Sequence, residues 1–155
     1  MRPSEARAWS VPTLADDPVR EAYVLLGPAW RSSSPQPVQT GSTFDVVQAP
    51  QALAAPALDG LRRAGRDHGA VFADGTRWTF FVTPGSGSHA WPPWVTYRSG
   101  PALLLPPRAA RAGDLGLRWI TRGAPPGRLC TPAEALCTSL STPAHRRPRL
   151  HTPRT

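Results

Sequence analysis

The chain of 155 residues contains no lysine; its 18 basic residues are all arginine. Two classes of chemistry fall with that absence. A Walker-type phosphate loop needs a lysine that reaches the β- and γ-phosphates, and Schiff-base catalysis needs a lysine amine. GC-rich coding produces such an arginine bias, and the exclusion holds whatever its cause. Cysteine is nearly as scarce. Cys130 and Cys137 stand seven residues apart, a spacing that fits no metal or redox motif, so they read as small apolar residues of a reducing compartment. Met1-Arg2-Pro3-Ser4-Glu5 lacks the apolar character of a secretory leader. No run approaches the ~20 apolar residues of a membrane span. A cytoplasmic protein without membrane contact is the expectation.

Grouped acids are missing as well. Two-metal phosphoryl transfer needs clustered carboxylates to hold its ions, yet Asp45, Asp59, Asp67, Asp74 and Asp114 are scattered. A D-x-D pair begun at Asp45 would need its second carboxylate where Val47 stands. No metal site is predicted. No cofactor is expected either, with Mg²⁺ or Mn²⁺ entering only if residual polymerase activity exists. Asp74 precedes Gly75 and reads as a turn residue, and His68, His145 and His151 have no partner spacing.

Proline and glycine are in excess. The 20 prolines and 13 glycines make up about a fifth of the chain, against roughly 12% in average usage. They gather in connections and ends, which predicts a single domain over 16–140 with an ordered core at about 43–140. A flexible arm (1–15) and a basic disordered tail (141–155) flank it. The net charge of +8 is uneven, because the last fifteen residues hold four arginines and no acid. A solvated tail and a contact with nucleic acid or another anionic surface both fit that excess.

Periodicity supplies the elements. Asp17-Pro18 suits a helix start, with Val19, Ala22, Tyr23 and Leu26 as its apolar set and Gly27-Pro28 as its stop; residues 28–43 then read as a polar connection. A strand follows at Phe44–Gln48. A helix lies within 51–64, with Leu53, Ala57, Leu58 and Leu61 on one side. Its Pro56 demands either a start near Ala55 or a kink. Ala70–Ala73, Asp74-Gly75 and Thr76–Val82 form a two-residue hairpin. Trp78, Phe80 and Val82 share one face of its second strand, and Arg77, Thr79 and Phe81 share the other. That face is only partly polar, so the strand belongs well inside a sheet. Two more strands are expected at Ala102–Leu105 and Leu117–Thr121. Thr131-Pro132-Ala133-Glu134 reads as a capping box opening a helix of about ten residues. The order predicts an α/β (α+β) domain: a small mixed sheet of about five strands with two or three helices packed on it.

Two loops invite functional readings. Gly85-Ser86-Gly87-Ser88-His89 is not a nucleophile elbow, because Pro84 stands where the first glycine belongs. The backbone N–H groups of Gly85, Ser86 and Gly87 suit an anion, and a plain loop is the alternative. In Trp91-Pro92-Pro93-Trp94-Val95-Thr96-Tyr97-Arg98, bases can stack on Trp91 and Trp94 with Arg98 near a phosphate. The same stretch also fits a core edge, or an aromatic-proline surface at 91–97 offered to a protein partner. Arg98, Arg118, Arg122, Trp91 and Trp94 are the candidate nucleic-acid or nucleotide contacts.

The segments GSTFDVVQAP, AVFADGTRWTFFVTPGS, ALLLPP, GLRWITRGAPPG and TPAEAL are similar to a group of short actinobacterial proteins. These resemble the N-terminal domain of bifunctional DNA primase/polymerases, the prim-pol fold. The resemblance covers about two-thirds of the chain and rests mostly on strand-and-turn patterns. In that family catalysis uses acids at a strand end and a downstream histidine. Here Asp45 matches the first acid, Val47 replaces the second, and His89 is a poor match for the histidine. The resemblance therefore implies a shortened relative with a vestigial Asp45 that kept the sheet and lost polymerisation. Together with the C-terminal charge excess it leads to the expectation of weak binding to nucleic acid or nucleotide through Arg98, Arg118, Arg122 and the basic tail.

Overall fold

The computed structural model describes residues 19–110 and 116–142. Along them run α1 (Glu21–Leu26), a 3-10 turn (Gly27–Arg31), β1 (Gln36–Gln39), β2 (Asp45–Pro50) and α2 (Gln51–Arg63). There follow β3 (His68–Asp74), β4 (Arg77–Val82), a 3-10 turn at Ser86–Ser88, β5 (Thr96–Arg98), β6 (Ala102–Leu105), β7 (Leu117–Ala124) and α3 (Ala133–Ser141). This is the expected α+β architecture. The sheet has the strand order β5-β2-β4-β3-β7. All its neighbouring strands are antiparallel, and a parallel bridge joins Phe81 to Cys130. β1 and β6 form a separate antiparallel ribbon. None of the helices among the described residues is long and apolar enough to cross a membrane.

Alternation along β4, the central strand, sets the layers, because successive side chains leave opposite faces of a sheet. Trp78, Phe80 and Val82 meet Val47 and Val71 beneath Leu58 and Leu61 of α2 and Leu136 and Leu140 of α3. Phe81 turns the other way, toward Val46, Phe72 and Trp119, under Ala22, Leu26, Trp30 and Leu105. Apolar side chains cover both faces, so even Thr79 on the partly polar side is buried. On the second face a chain of ring contacts runs from Phe44 through Phe81, Phe72 and Trp119 to Trp30, with centroids 5.1 to 5.9 Å apart. Such edge-on and tilted pairs stabilise beyond the area they bury.

Several local expectations are corrected. Asp74 pairs with Arg77, so the hairpin loop is Gly75-Thr76, one residue later than expected. Gly75, at φ 67°, takes the first loop position, where a II′ turn needs positive φ. In α1 only Ala22 and Leu26 are buried, while Val19 and Tyr23 are exposed; the helix is too short to present a wider apolar face. Its expected start at Asp17-Pro18 lies outside the described residues, as do the arm 1–15 and residues 143–155. The expected stop does hold: α1 ends at Leu26, because Gly27 at φ 60° and ψ −140° leaves the helical path, and a separate 3-10 turn with proline at its start follows. α2 runs unbroken from Gln51 with Pro56 inside. The bond that Pro56 lacks would reach back to Ala52 in the exposed first turn, so the loss falls near an end.

The capping box does not form either. The Thr131 hydroxyl accepts the Gly69 N–H at 2.8 Å, and Pro132 holds the cap position with no side-chain bond. Gly69 packs so tightly against the Leu129 carbonyl that no Cβ fits there. Tertiary packing thus takes the hydroxyl that the helix would have used.

Candidate functional site

Four arginines converge where α1 and its 3-10 extension pass the outer strand β7. The turn at 27–31 carries Trp30 inward, edge-on to Trp119 with centroids 5.1 Å apart. Arg122, on β7, lays its guanidinium carbon 3.6 Å from the Trp30 centroid and 5.3 Å from that of Trp119. Its Nη2 donates to the Trp30 carbonyl oxygen at 3.0 Å. Arg31 lies over Tyr23 at 5.4 Å. The Arg108 backbone N–H donates to the Ser32 carbonyl at 2.8 Å, which brings the end of β6 to the same place. Arg20, Arg31, Arg108 and Arg122, with Tyr23 and Trp30, line a recess of about 360 Å³, and none of its described lining residues is acidic.

The neighbouring acid is turned away from this recess. Glu21 follows Arg20 in α1, but its Oε1 accepts the backbone N–H groups of Leu129 at 2.8 Å and Cys130 at 2.9 Å. It thereby pins α1 to the segment before α3. Burial, then the Glu21 charge, pushes the Cys130 thiol up to about 12, so this cysteine is a packed apolar group. A recess lined by cations and low-dielectric aromatic walls concentrates field lines and draws anions. Guanidinium forks suit phosphate in particular, because they donate two parallel hydrogen bonds at once.

Asp45 has a different role from the one its strand-end position suggests. It is 1% exposed. Its Oδ2 accepts the Tyr97 hydroxyl at 2.5 Å and the Gly85 N–H at 3.0 Å. Burial alone would raise its carboxyl, but hydrogen bonds from Tyr97, Ser99 and Gly85 outweigh that and hold it below the ordinary carboxylate value. Burial, with the Asp45 bond and charge behind it, pushes the Tyr97 phenol up to about 12. Of the Gly85-Ser86-Gly87 loop, the Gly85 N–H already holds an anion, which is this chain's own carboxylate. The Ser86 hydroxyl donates to the Thr83 carbonyl at 2.7 Å, and a Cβ on Gly87 would press on the Tyr97 ring. The Asp45 carboxylate ties β2, β5 and the loop after β4 together.

The five contacts expected from sequence do not form one surface. Arg98 lies on β5 and Arg118 and Arg122 on β7, the two outer strands of the sheet. Four strand spacings separate them, roughly 19 Å. Arg118 donates to the carbonyls of Gly116 at 2.9 Å and Gly75 at 3.2 Å, which closes the turn beside it. Trp91 packs against the core, donates its Nε1 to the Ser86 carbonyl at 2.9 Å and lies tilted on Tyr97. Trp94 is half-buried two residues before β5. Only Arg122 of the five reaches the recess. Arg20, Tyr23, Trp30, Arg31 and Arg108 were invisible to sequence reasoning. The one signal was Trp30-Arg31, an aromatic-cation pair inside a stretch read as polar connection.

Among the described residues, no three His, Cys, Asp or Glu side chains meet in a group that could hold a metal ion. No family model, curated protein or solved structure matches the chain.

Proposed function

We propose that this chain is a non-catalytic, prim-pol-like domain that binds a phosphate-bearing ligand, nucleic acid or nucleotide, in the recess of Arg20, Arg31, Arg108 and Arg122. The observation that carries this reading is that four arginines, from the residue before α1, the 3-10 turn, the segment after β6, and β7, line one concavity. The aromatic stack beneath Arg122 fixes one side of this recess in place. The basic residues 146, 147, 149 and 154 beyond α3 add long-range attraction for the same class of ligand. Catalysis is not part of the proposal. The Asp45 carboxylate already serves Tyr97 and Gly85 as a structural acceptor.

The test is binding of a short single-stranded DNA at low salt, where phosphate contacts are strongest. Arg20→Ser and Arg31→Ser are compared with the unaltered full chain. Each arginine removed is expected to weaken binding and to flatten the dependence of log K on log salt by about 0.7. If the unaltered chain does not bind at low salt, or both variants bind as it does, the reading is wrong.

A further inference from the structure

We propose that the recess takes a single nucleoside monophosphate unit, its phosphate at Arg20 and Arg31 and its base stacked on Tyr23; this rests on the anion-binding reading above. A recess of about 360 Å³ lies at the small end of ligand sites. It fits one nucleotide unit.

The aromatic lining decides what stands beside the phosphate. Trp30 is 7% exposed, and the Arg122 guanidinium at 3.6 Å already occupies its ring face. Tyr23 differs. It is 44% exposed although it lies on a helix packed against the core. Arg31 lies over its ring at 5.4 Å, and a base laid on the other face extends that stack. Planar rings stack on tyrosine with little regard to sequence, because every base presents a π-face. Arg20 and Arg31 line the same recess, so phosphate and base are engaged at adjoining positions.

Two probes of equal charge isolate the base: adenosine 5′-monophosphate and ribose 5-phosphate, titrated into the full chain at low salt. The nucleotide is expected to bind roughly tenfold more tightly, the size of one stacked base. Tyr23→Ala should erase that preference, read as the ratio of the two affinities within each protein, and Tyr23→Phe should keep it. Equal binding of the two probes, or a preference that survives Tyr23→Ala, overturns this inference and leaves the anion site standing. Absence of binding by either probe, together with absence of DNA binding, overturns both. A 5′-phosphorylated dinucleotide separates the sources. Affinity equal to the mononucleotide places strand ends in the recess, weaker affinity places free nucleotides there, and both results support the proposal.

Discussion

Arg122 holds Trp30 at two points: its guanidinium carbon lies 3.6 Å from the indole centroid, and its Nη2 donates to the Trp30 carbonyl oxygen at 3.0 Å. The pair joins the outermost strand of the sheet to the 3-10 turn that covers it. A charged side chain is thereby part of the core's edge, and the recess is built on a rigid floor.

That floor makes a stability prediction. Arg122→Lys keeps the charge but loses the planar stack and the aimed donor, and should cost about 1–2 kcal/mol. Trp30→Ala removes a buried indole that also meets Trp119 edge-on, and should cost about 3–5 kcal/mol. Urea unfolding of the three proteins checks both values. A Trp30→Ala protein as stable as the parent would show that the turn does not pack as described.

The Asp45–Tyr97 hydrogen bond predicts losses of stability at both pH extremes. The Asp45 carboxyl is held below its ordinary value of 3.8. Its contribution is therefore complete above the unfolded value and disappears as pH falls through the lower folded one. The Tyr97 phenol is raised from 10.0 to about 12. Its contribution is complete below pH 10 and disappears as pH rises toward about 12. Asp45→Asn removes the charge, costs about 1–3 kcal/mol near neutrality, and flattens the acid-side loss. The alkaline loss should shrink without vanishing, because burial is the larger cause of the phenol shift. Unfolding free energies across pH for the parent, Asp45→Asn and Tyr97→Phe give the comparison.

Trp91 separates a packing role from a binding role. It rests on the core and donates to the Ser86 carbonyl, so Trp91→Ala should lower the unfolding midpoint. Its effect on DNA affinity, measured where the variant is still folded, should be nil. A variant with parental stability and weakened DNA binding would return the 91–97 loop to the centre of function.

Legibility in the sequence followed the origin of each signal. The β3–β4 hairpin, the faces of β4 and the α3 helix were readable because their periodicity is local and strong. β1 was not. Gln36-Pro37-Val38-Gln39 has little strand character, and it forms because β6 pairs with it and both cover the second face. β5 was hidden among prolines, and it forms by pairing with β2 at the sheet's edge. Thr131 shows how a correct local pattern yields to packing, since its hydroxyl goes to Gly69 instead of the helix. The recess was the least legible feature. Its arginines come from positions 20, 31, 108 and 122, which only the closing of α1 over β7 brings together, and Glu21, the residue that docks α1, looks in sequence like any first-turn acid.

The most direct test of the recess compares two charge reversals of equal size placed on opposite edges of the sheet. Arg31→Glu alters the recess, and Arg98→Glu alters the exposed β5 strand. Single-stranded DNA affinity at low salt should fall at least about tenfold more for Arg31→Glu than for Arg98→Glu, because a guanidinium that touches the phosphate matters more than one that only adds to the net charge. Equal losses would mean that the chain attracts DNA through its overall charge, and would contradict a site at the recess.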